Sequence, residues 1–166
     1  MISGEEFKAG MSRWTTGVTV VTARDGDCIH GMTVSDFTGV SLSPPLVLVC
    51  AGRNTITHEV IAAGRCFAVH VLSAEQEELA NRFASKEFEH ERFEGLEIQT
   101  GVTGAPLLSG AVAVFDCRLE SSFEAGDHEV YVGQVEKLIT HDREPLVYQG
   151  GRYDRLGSFR ARGGDR

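Results

Sequence analysis

With 166 residues, 42% of them hydrophobic and 24% charged, the chain is sized for one compact domain over residues 1–166 with a sizeable core. Its formal net charge of −8 argues against the basic face by which a nucleic-acid backbone is held. No apolar run approaches the ~20 residues of a membrane span, which points to a soluble, cytoplasmic protein with no membrane partner. Four scattered cysteines (Cys28, Cys50, Cys66, Cys117) form no CxxC pair, so neither a metal site nor a disulfide scaffold is expected.

Taken in order, Ser3-Gly4-Glu5-Glu6 fits a capping box that opens a helix through about Met11, with Phe7 and Met11 on one apolar face. Gly17–Arg24 is rich in β-branched residues and runs into the turn signal Asp25-Gly26 before a strand over Cys28–Gly31. The stretch Gly31–Cys50 then sets glycine, serine and threonine ahead of Pro44-Pro45 and an apolar strand, Leu46–Cys50. Such backbone can be approached closely by a ligand, because glycine leaves room and the hydroxyls supply donors and acceptors without bulk.

Arg53-Asn54-Thr55 precede a short helical pattern with Ile56, Val60 and Ala63 on one side and Gly64 at its end, with Asn54 or Thr55 as N-cap. The first-turn amides of a helix lack internal partners and the dipole is positive there, so an anion is stabilised beside Arg53. A plain polar cap with a solvated arginine is the rival reading. The position after a buried strand, next to the close-approach stretch, balances the two. Cys66–Leu72 reads as a buried strand interrupted by His70, a satisfied core histidine because no second ligand stands at metal spacing. Ser73-Ala74-Glu75-Gln76 is a second capping box, predicting a helix over Ala74–Phe83. Ser85–Glu94 is a charged excursion carrying Phe88 and Phe93.

In Ala111–Glu120, Ala113, Phe115, Cys117 and Leu119 alternate with Val112, Val114, Asp116 and Arg118, giving an inner and a wetter face. A turn at Glu124–Asp127 returns the chain into a strand over His128–Leu138, with His128 at the mouth of the hairpin. A last strand, Leu146–Gln149, precedes Gly150-Gly151, and the tail Arg160–Arg166 reads as frayed. About seven short strands, three short helices and no GxGxxG after a strand predict a mainly antiparallel β-barrel with helices on its rim, not a doubly wound sheet.

Four segments, in order, carry a resemblance over nearly the whole chain: WTTGVTVVTA (Trp14–Ala23), GMTVSDFTGVSLSPPLVLVC (Gly31–Cys50), GDHEVYVGQV (Gly126–Val135) and PLVYQGGRYDRLG (Pro145–Gly157). The sequence resembles the flavin reductase-like family of split-barrel FMN-binding proteins, the reductase components of two-component flavin-dependent monooxygenases. The resemblance implies a mainly β, antiparallel, Greek-key-like split β-barrel, FMN or FAD as cofactor, NADH or NADPH as donor, a homodimer, and a monooxygenase partner. By the same resemblance Thr33, Val34, Ser35 and Asp36 would line the isoalloxazine edge with Ser41 nearby, and Cys50 and Ala51 would border the ribityl chain. Arg53, Asn54, Thr55 and Thr57 would hold the flavin phosphate, agreeing with the anion argument. Phe83, Ala84 and Ser85 would close the other side, while His128, Arg152 and Tyr153 would serve the nicotinamide donor.

The chain departs from the family pattern at Ser35-Asp36, where relatives often carry Asn and a small residue, and at Gly39, where they often carry Ser. A carboxylate at Asp36 disfavours an anionic reduced ring and repels phosphate, so it either points away from the flavin or lowers its affinity. The leading functional expectation is an NAD(P)H:flavin oxidoreductase in which hydride passes from nicotinamide to flavin and no side chain is strictly required as acid or base. A non-catalytic flavin-binding electron carrier of the same fold is the alternative, and an oxidase or haem-associated relative ranks last.

Overall fold

The capping box at Ser3 forms as the sequence predicts: its hydroxyl accepts the Glu6 amide at 3.1 Å and the Glu6 carboxylate accepts the Ser3 amide at 2.8 Å. Helix α1 (Gly4–Met11) follows, and its Phe7 and Met11 face lies exposed. The computed structural model describes residues 1–156, so the tail expected to fray, Arg160–Arg166, lies outside the described residues.

Strands β1 (Thr16–Gly17), β2 (Thr19–Asp25), β3 (Cys28–Val34), β4 (Phe37–Leu42) and β5 (Pro45–Gly52) come next, then helix α2 (Ile56–Gly64), β6 (Cys66–Val71) and helix α3 (Glu77–Ala84). The chain continues through β7 (Ile98–Thr100), β8 (Pro106–Leu108), β9 (Ala113–Ala125), β10 (His128–Thr140), β11 (Leu146–Gln149) and β12 (Arg152–Arg155). Seven strands form one sheet in the order β3-β2-β6-β9-β10-β5-β4, flanked by a three-stranded sheet β1-β11-β12 and the pair β7-β8. Every pairing is antiparallel, and no hydrogen-bond ladder joins the two edge strands β3 and β4. The mainly β, antiparallel, split architecture predicted from sequence is therefore the observed one.

Local chemistry explains the tightest connections. The β2–β3 and β9–β10 hairpins each turn through two residues, Gly26-Asp27 and Gly126-Asp127, with glycine at φ +56° and +65°. Such a backbone suits glycine because it has no Cβ to clash. Thr55 caps α2, its hydroxyl accepting the His58 amide at 3.3 Å. At the other end a Cβ on Gly64 would overlap the Arg24 carbonyl, so α2 terminates in direct contact with the β2 backbone.

One core cluster fills the space between the sheet and α2, with Val21, Val49, Ile61, Phe67, Val69 and Tyr131 at its centre. A second, built on Val18, Val20, Leu72, Ala80, Phe83 and Leu146, holds α3 against the opposite side. Phe93 packs edge-on against Phe83 with ring centroids 5.2 Å apart, so this aromatic of the charged excursion is core support, while Phe88 is exposed.

Four sequence expectations are corrected. The apolar side of α2 buries Val60, Ile61 and Thr57, and Ala63 is exposed, because the helix rotates to meet β2. Helix α3 starts at Glu77 rather than Ala74, and the second capping box is half made: the Ser73 amide donates to Gln76 Oε1 at 3.0 Å but the Ser73 hydroxyl has no partner. Pairing of Ser73 with Pro145 and of the Ala74 amide with the Glu144 carbonyl (2.8 Å) keeps that backbone extended. Asp116, assigned to the wetter face of β9, is buried and accepts hydrogen bonds from the Thr103 hydroxyl and amide. The described residues hold twelve strands, not about seven: β1, β4, β7, β8 and β12 are short or polar and were not distinguished from loops.

His70 is the satisfied core histidine expected. Its Nε2 accepts the Leu108 amide at 3.0 Å, which leaves Nδ1–H to donate to the Val20 carbonyl at 3.0 Å. Complete burial lowers its pKa to about 4. The folded state thus holds the imidazole neutral while the unfolded chain takes up a proton near its ordinary value of 6.5, so this contribution to stability is intact above that value and is lost as pH falls towards 4. Chemical denaturation should show a loss of up to roughly 3 kcal/mol from this group over that window, and His70→Gln should flatten the slope.

Candidate functional site

The site is built where the seven-stranded sheet stays open. Strand β3 ends at Val34, Ser35 and Asp36 make the connection, and β4 departs along the other edge. Thr33 fixes this end: its hydroxyl donates to the Ala80 carbonyl of α3 at 2.7 Å, while the Val34 carbonyl accepts the Thr19 hydroxyl at 2.8 Å. A cleft of about 810 Å³ opens beside it, lined on this side by Met32, Thr33, Val34, Ser35 and Asp36. Its far wall is the end of β5 and the start of α2, with Cys50, Gly52, Arg53, Asn54, Thr55 and His58, and its rim is the hairpin residues Asp127 and His128.

Two elements of that wall are fastened together. The Arg53 amide donates to the Asp127 carbonyl at 3.1 Å, and its guanidinium lies 3.0 Å from the Glu124 carboxylate. His128 Nδ1 stands 2.7 Å from the Asp127 carboxylate, a contact that holds the Asp127 carboxyl below its usual range. Tyr131, in the core beneath, holds His58 from below: its hydroxyl stands 2.7 Å from His58 Nδ1 and 3.1 Å from the His58 carbonyl. Burial, aided by Glu129, pushes the Tyr131 phenol up to about 12, so it remains a donor throughout the working range. Burial first, and Asp36 second, also raise the Cys50 thiol.

A smaller hollow of about 200 Å³ lies on the other side of the β3 end, lined by Val18, Thr33, Val34, Ser35, Ala84, Tyr148 and Tyr153. The two tyrosine rings sit 5.4 Å apart. Thr33, Val34 and Ser35 therefore separate two recesses and face both.

Of the residues singled out from sequence, nine line the large cleft: Thr33, Val34, Ser35, Asp36, Cys50, Arg53, Asn54, Thr55 and His128. Ala84 and Tyr153 line the small hollow. The other six line neither. Ala51 and Phe83 are core residues, and Thr57 is buried with its hydroxyl 2.7 Å from His30 Nδ1. Ser85 gives its carbonyl to Arg92 at 2.8 Å, Ser41 accepts the Ser43 amide at 3.2 Å, and Arg152 is exposed on β12. Sequence reasoning passed over His58, although a helix capped by Thr55 places residue 58 on the cap's side of the first turn. It also passed over Arg92, which is buried and donates to the Gly31 carbonyl at 2.7 Å, tying the excursion to β3.

The donor set suits a ligand with a flat polar ring at one end and an anion at the other. The strand end at residues 33–36 brings main-chain groups to the cleft, with the Val34 carbonyl already taken by Thr19 and the Ser35 carbonyl by the Phe37 amide at 3.1 Å. The first-turn amides of Ile56 and Thr57 have no intrahelical acceptor, and Arg53 precedes the helix by three residues on the cleft wall. A phosphorylated flavin meets both conditions.

Comparison with known proteins agrees. The family model described as "Flavin reductase like domain" matches residues 11–157. The chain is 37% identical over 154 residues to the FMN reductase (NADH) SmoA of Agrobacterium fabrum, covering 93% of this chain and 87% of the relative. It is 33% identical over 153 residues to HsaB of Rhodococcus jostii, the reductase subunit of a flavin-dependent monooxygenase, covering 92% of this chain and 77% of that one. Among solved structures, the NADH:FAD oxidoreductase SgcE6 of Streptomyces globisporus, in complex with NAD and FAD fragments, superposes with a TM-score of 0.87 at 36% identity, covering 99% of both chains. On the family match and on identity along nearly its whole length, this chain belongs to the flavin reductase-like family.

Proposed function

We propose that the chain is an NAD(P)H-dependent flavin reductase that passes hydride from nicotinamide to FMN or FAD and supplies reduced flavin to a partner monooxygenase. The observation that carries this reading is one cleft presenting an open sheet edge at Thr33–Asp36 and a capped helix start with a guanidinium at Arg53–Thr55. When bound, the flavin supplies the ring that accepts the hydride.

The chain's own part is to bind and orient. Backbone groups of Val34, Ser35 and Asp36 hold the ring edge and stabilise charge that develops there on reduction. Cys50 and Gly52 border the ribityl chain, and Arg53, Asn54, Thr55 and the first α2 amides hold the phosphate, with His58 beside them. Thr57 and Ala51 support this wall from within the core. His128, oriented by Asp127, serves the donor from the rim. Tyr153 and Ala84 border the second recess, on the other side of the same strand end.

The quaternary state and location extend the reading. Phe7, Met11, Trp14 (67% exposed) and Leu42 (98% exposed) leave apolar surface uncovered on α1, on the segment after it and on edge strand β4. A homodimer would bury such residues. Among the described residues no helix is long and apolar enough to cross a membrane, and the four cysteines are free thiols, which suits the reducing cytoplasm as the site of action.

Three measurements test these statements. Anaerobic addition of NADH or NADPH at catalytic protein concentration should bleach flavin absorbance near ~450 nm, the oxidised-ring band; absence of bleaching with either donor would leave a flavin carrier. His128→Ala should raise the apparent KM for the nicotinamide donor more than that for flavin, and equal effects on both would remove His128 from the donor site. Light scattering should return twice the 18.0 kDa chain mass, and a monomer would end the dimer reading.

A further inference from the structure

Among the described residues, Arg53 is the one lysine or arginine lining the cleft, and it shares that space with two carboxylates, Asp36 and Asp127. Its guanidinium is engaged by a third, Glu124, at 3.0 Å. Both partners are solvent-accessible, so the pair is weak enough to exchange. Its geometry is nonetheless set by backbone, because the Arg53 amide is bonded to the Asp127 carbonyl and Gly52 stands in register with His128. Glu124 also stands directly opposite Glu129 across the β9–β10 ladder, where like charges repel. Arg53 relieves that repulsion as well.

We infer that Glu124 is a specificity-determining residue: its carboxylate competes with the phosphate of the flavin for Arg53 and so sets how strongly the protein prefers a phosphorylated flavin to riboflavin. The inference rests on the proposed role of Arg53 in holding that phosphate. A phosphate monoester carries more charge than a carboxylate near pH 7 and offers three acceptor oxygens in a geometry that a guanidinium fork matches. It therefore displaces Glu124, but every binding event must first break the existing pair and leave Glu124 facing Glu129 without its cation. The outcome is a site that recognises the phosphate yet holds it less tightly than an unpaired Arg53 would. Riboflavin, with no phosphate, leaves the pair undisturbed.

Titrating FMN and riboflavin into wild type, Glu124→Gln, Arg53→Ala and the double variant, by quenching of flavin fluorescence at low and high salt, tests this. Glu124→Gln keeps the size of the side chain and removes its charge. It should tighten FMN binding roughly two- to fivefold, the range an exposed ion pair supports, with riboflavin unchanged and the gain shrinking at high salt. Arg53→Ala should weaken FMN and spare riboflavin, and on that background Glu124→Gln should have no further effect. Equal changes for FMN and riboflavin in Glu124→Gln, or weaker FMN binding, would overturn the inference and make Glu124 a support for Arg53. Unchanged FMN binding in Glu124→Gln while Arg53→Ala weakens it would overturn the inference and leave the phosphate reading standing. Unchanged FMN binding in Arg53→Ala would overturn both.

Discussion

The seam between β3 and β4 is the constraint on which the rest of the structure depends. These two strands are neighbours in sequence, yet they stand at opposite edges of the seven-stranded sheet, and only the Ser35-Asp36 connection joins them. A sheet edge presents unpaired amides and carbonyls, which proteins normally cover or charge. Here the covering is selective. Arg92 reaches from the excursion to take the Gly31 carbonyl, and the Ser35 carbonyl accepts the Phe37 amide at 3.1 Å, while residues 33–36 line the cleft. In the reading proposed above, the seam is the end of the cleft that takes the ring, through main-chain groups beside Thr33, Ser35 and Asp36.

The far wall follows from a different local rule. Strand β5 is buried at Val47, Val49 and Ala51 and half-buried at the residues between them, so it ends as a rigid post from which α2 starts within a few residues. Thr55 both caps the helix and donates its hydroxyl to the Gly52 carbonyl at 2.8 Å, closing the turn that carries Arg53 and Asn54. The proposed anion site and the end of the strand are thus one structural feature. The bond from Arg53 to Asp127 then joins this corner to the hairpin bearing His128, so the proposed phosphate and donor residues share a backbone connection.

Much of this was legible in the sequence because it is local. The Ser3 capping box, the Thr55 cap, the glycine turns and the strand at Leu146–Gln149 each depend on residues within a few positions of one another. His70 could be assigned to the core because it interrupts an otherwise apolar strand. Strand β4 was not legible, since Phe37–Leu42 is half glycine, serine and threonine and is held by its ladder to β5 instead of by its own propensity. Asp116 and Arg92 look like surface charges in sequence; their burial depends on partners 13 and 61 positions away. Thr57 and His58 show the limit within one element. Both lie at the helix start, but helix rotation buries the threonine against His30 and turns the histidine to the cleft.

Asp36, a carboxylate lining the cleft, gains a second meaning from its neighbour. Burial first, and Asp36 second, hold the Cys50 thiol above its ordinary pKa within the cleft proposed to take the flavin. The thiolate, not the thiol, is the nucleophile that attacks peroxide. A reductase whose product reacts with dioxygen generates that oxidant at its own doorstep, and a cysteine kept protonated there is slow to become sulfenic acid. The surroundings that keep this thiol protonated, burial above all, would then serve the protein's chemical lifetime.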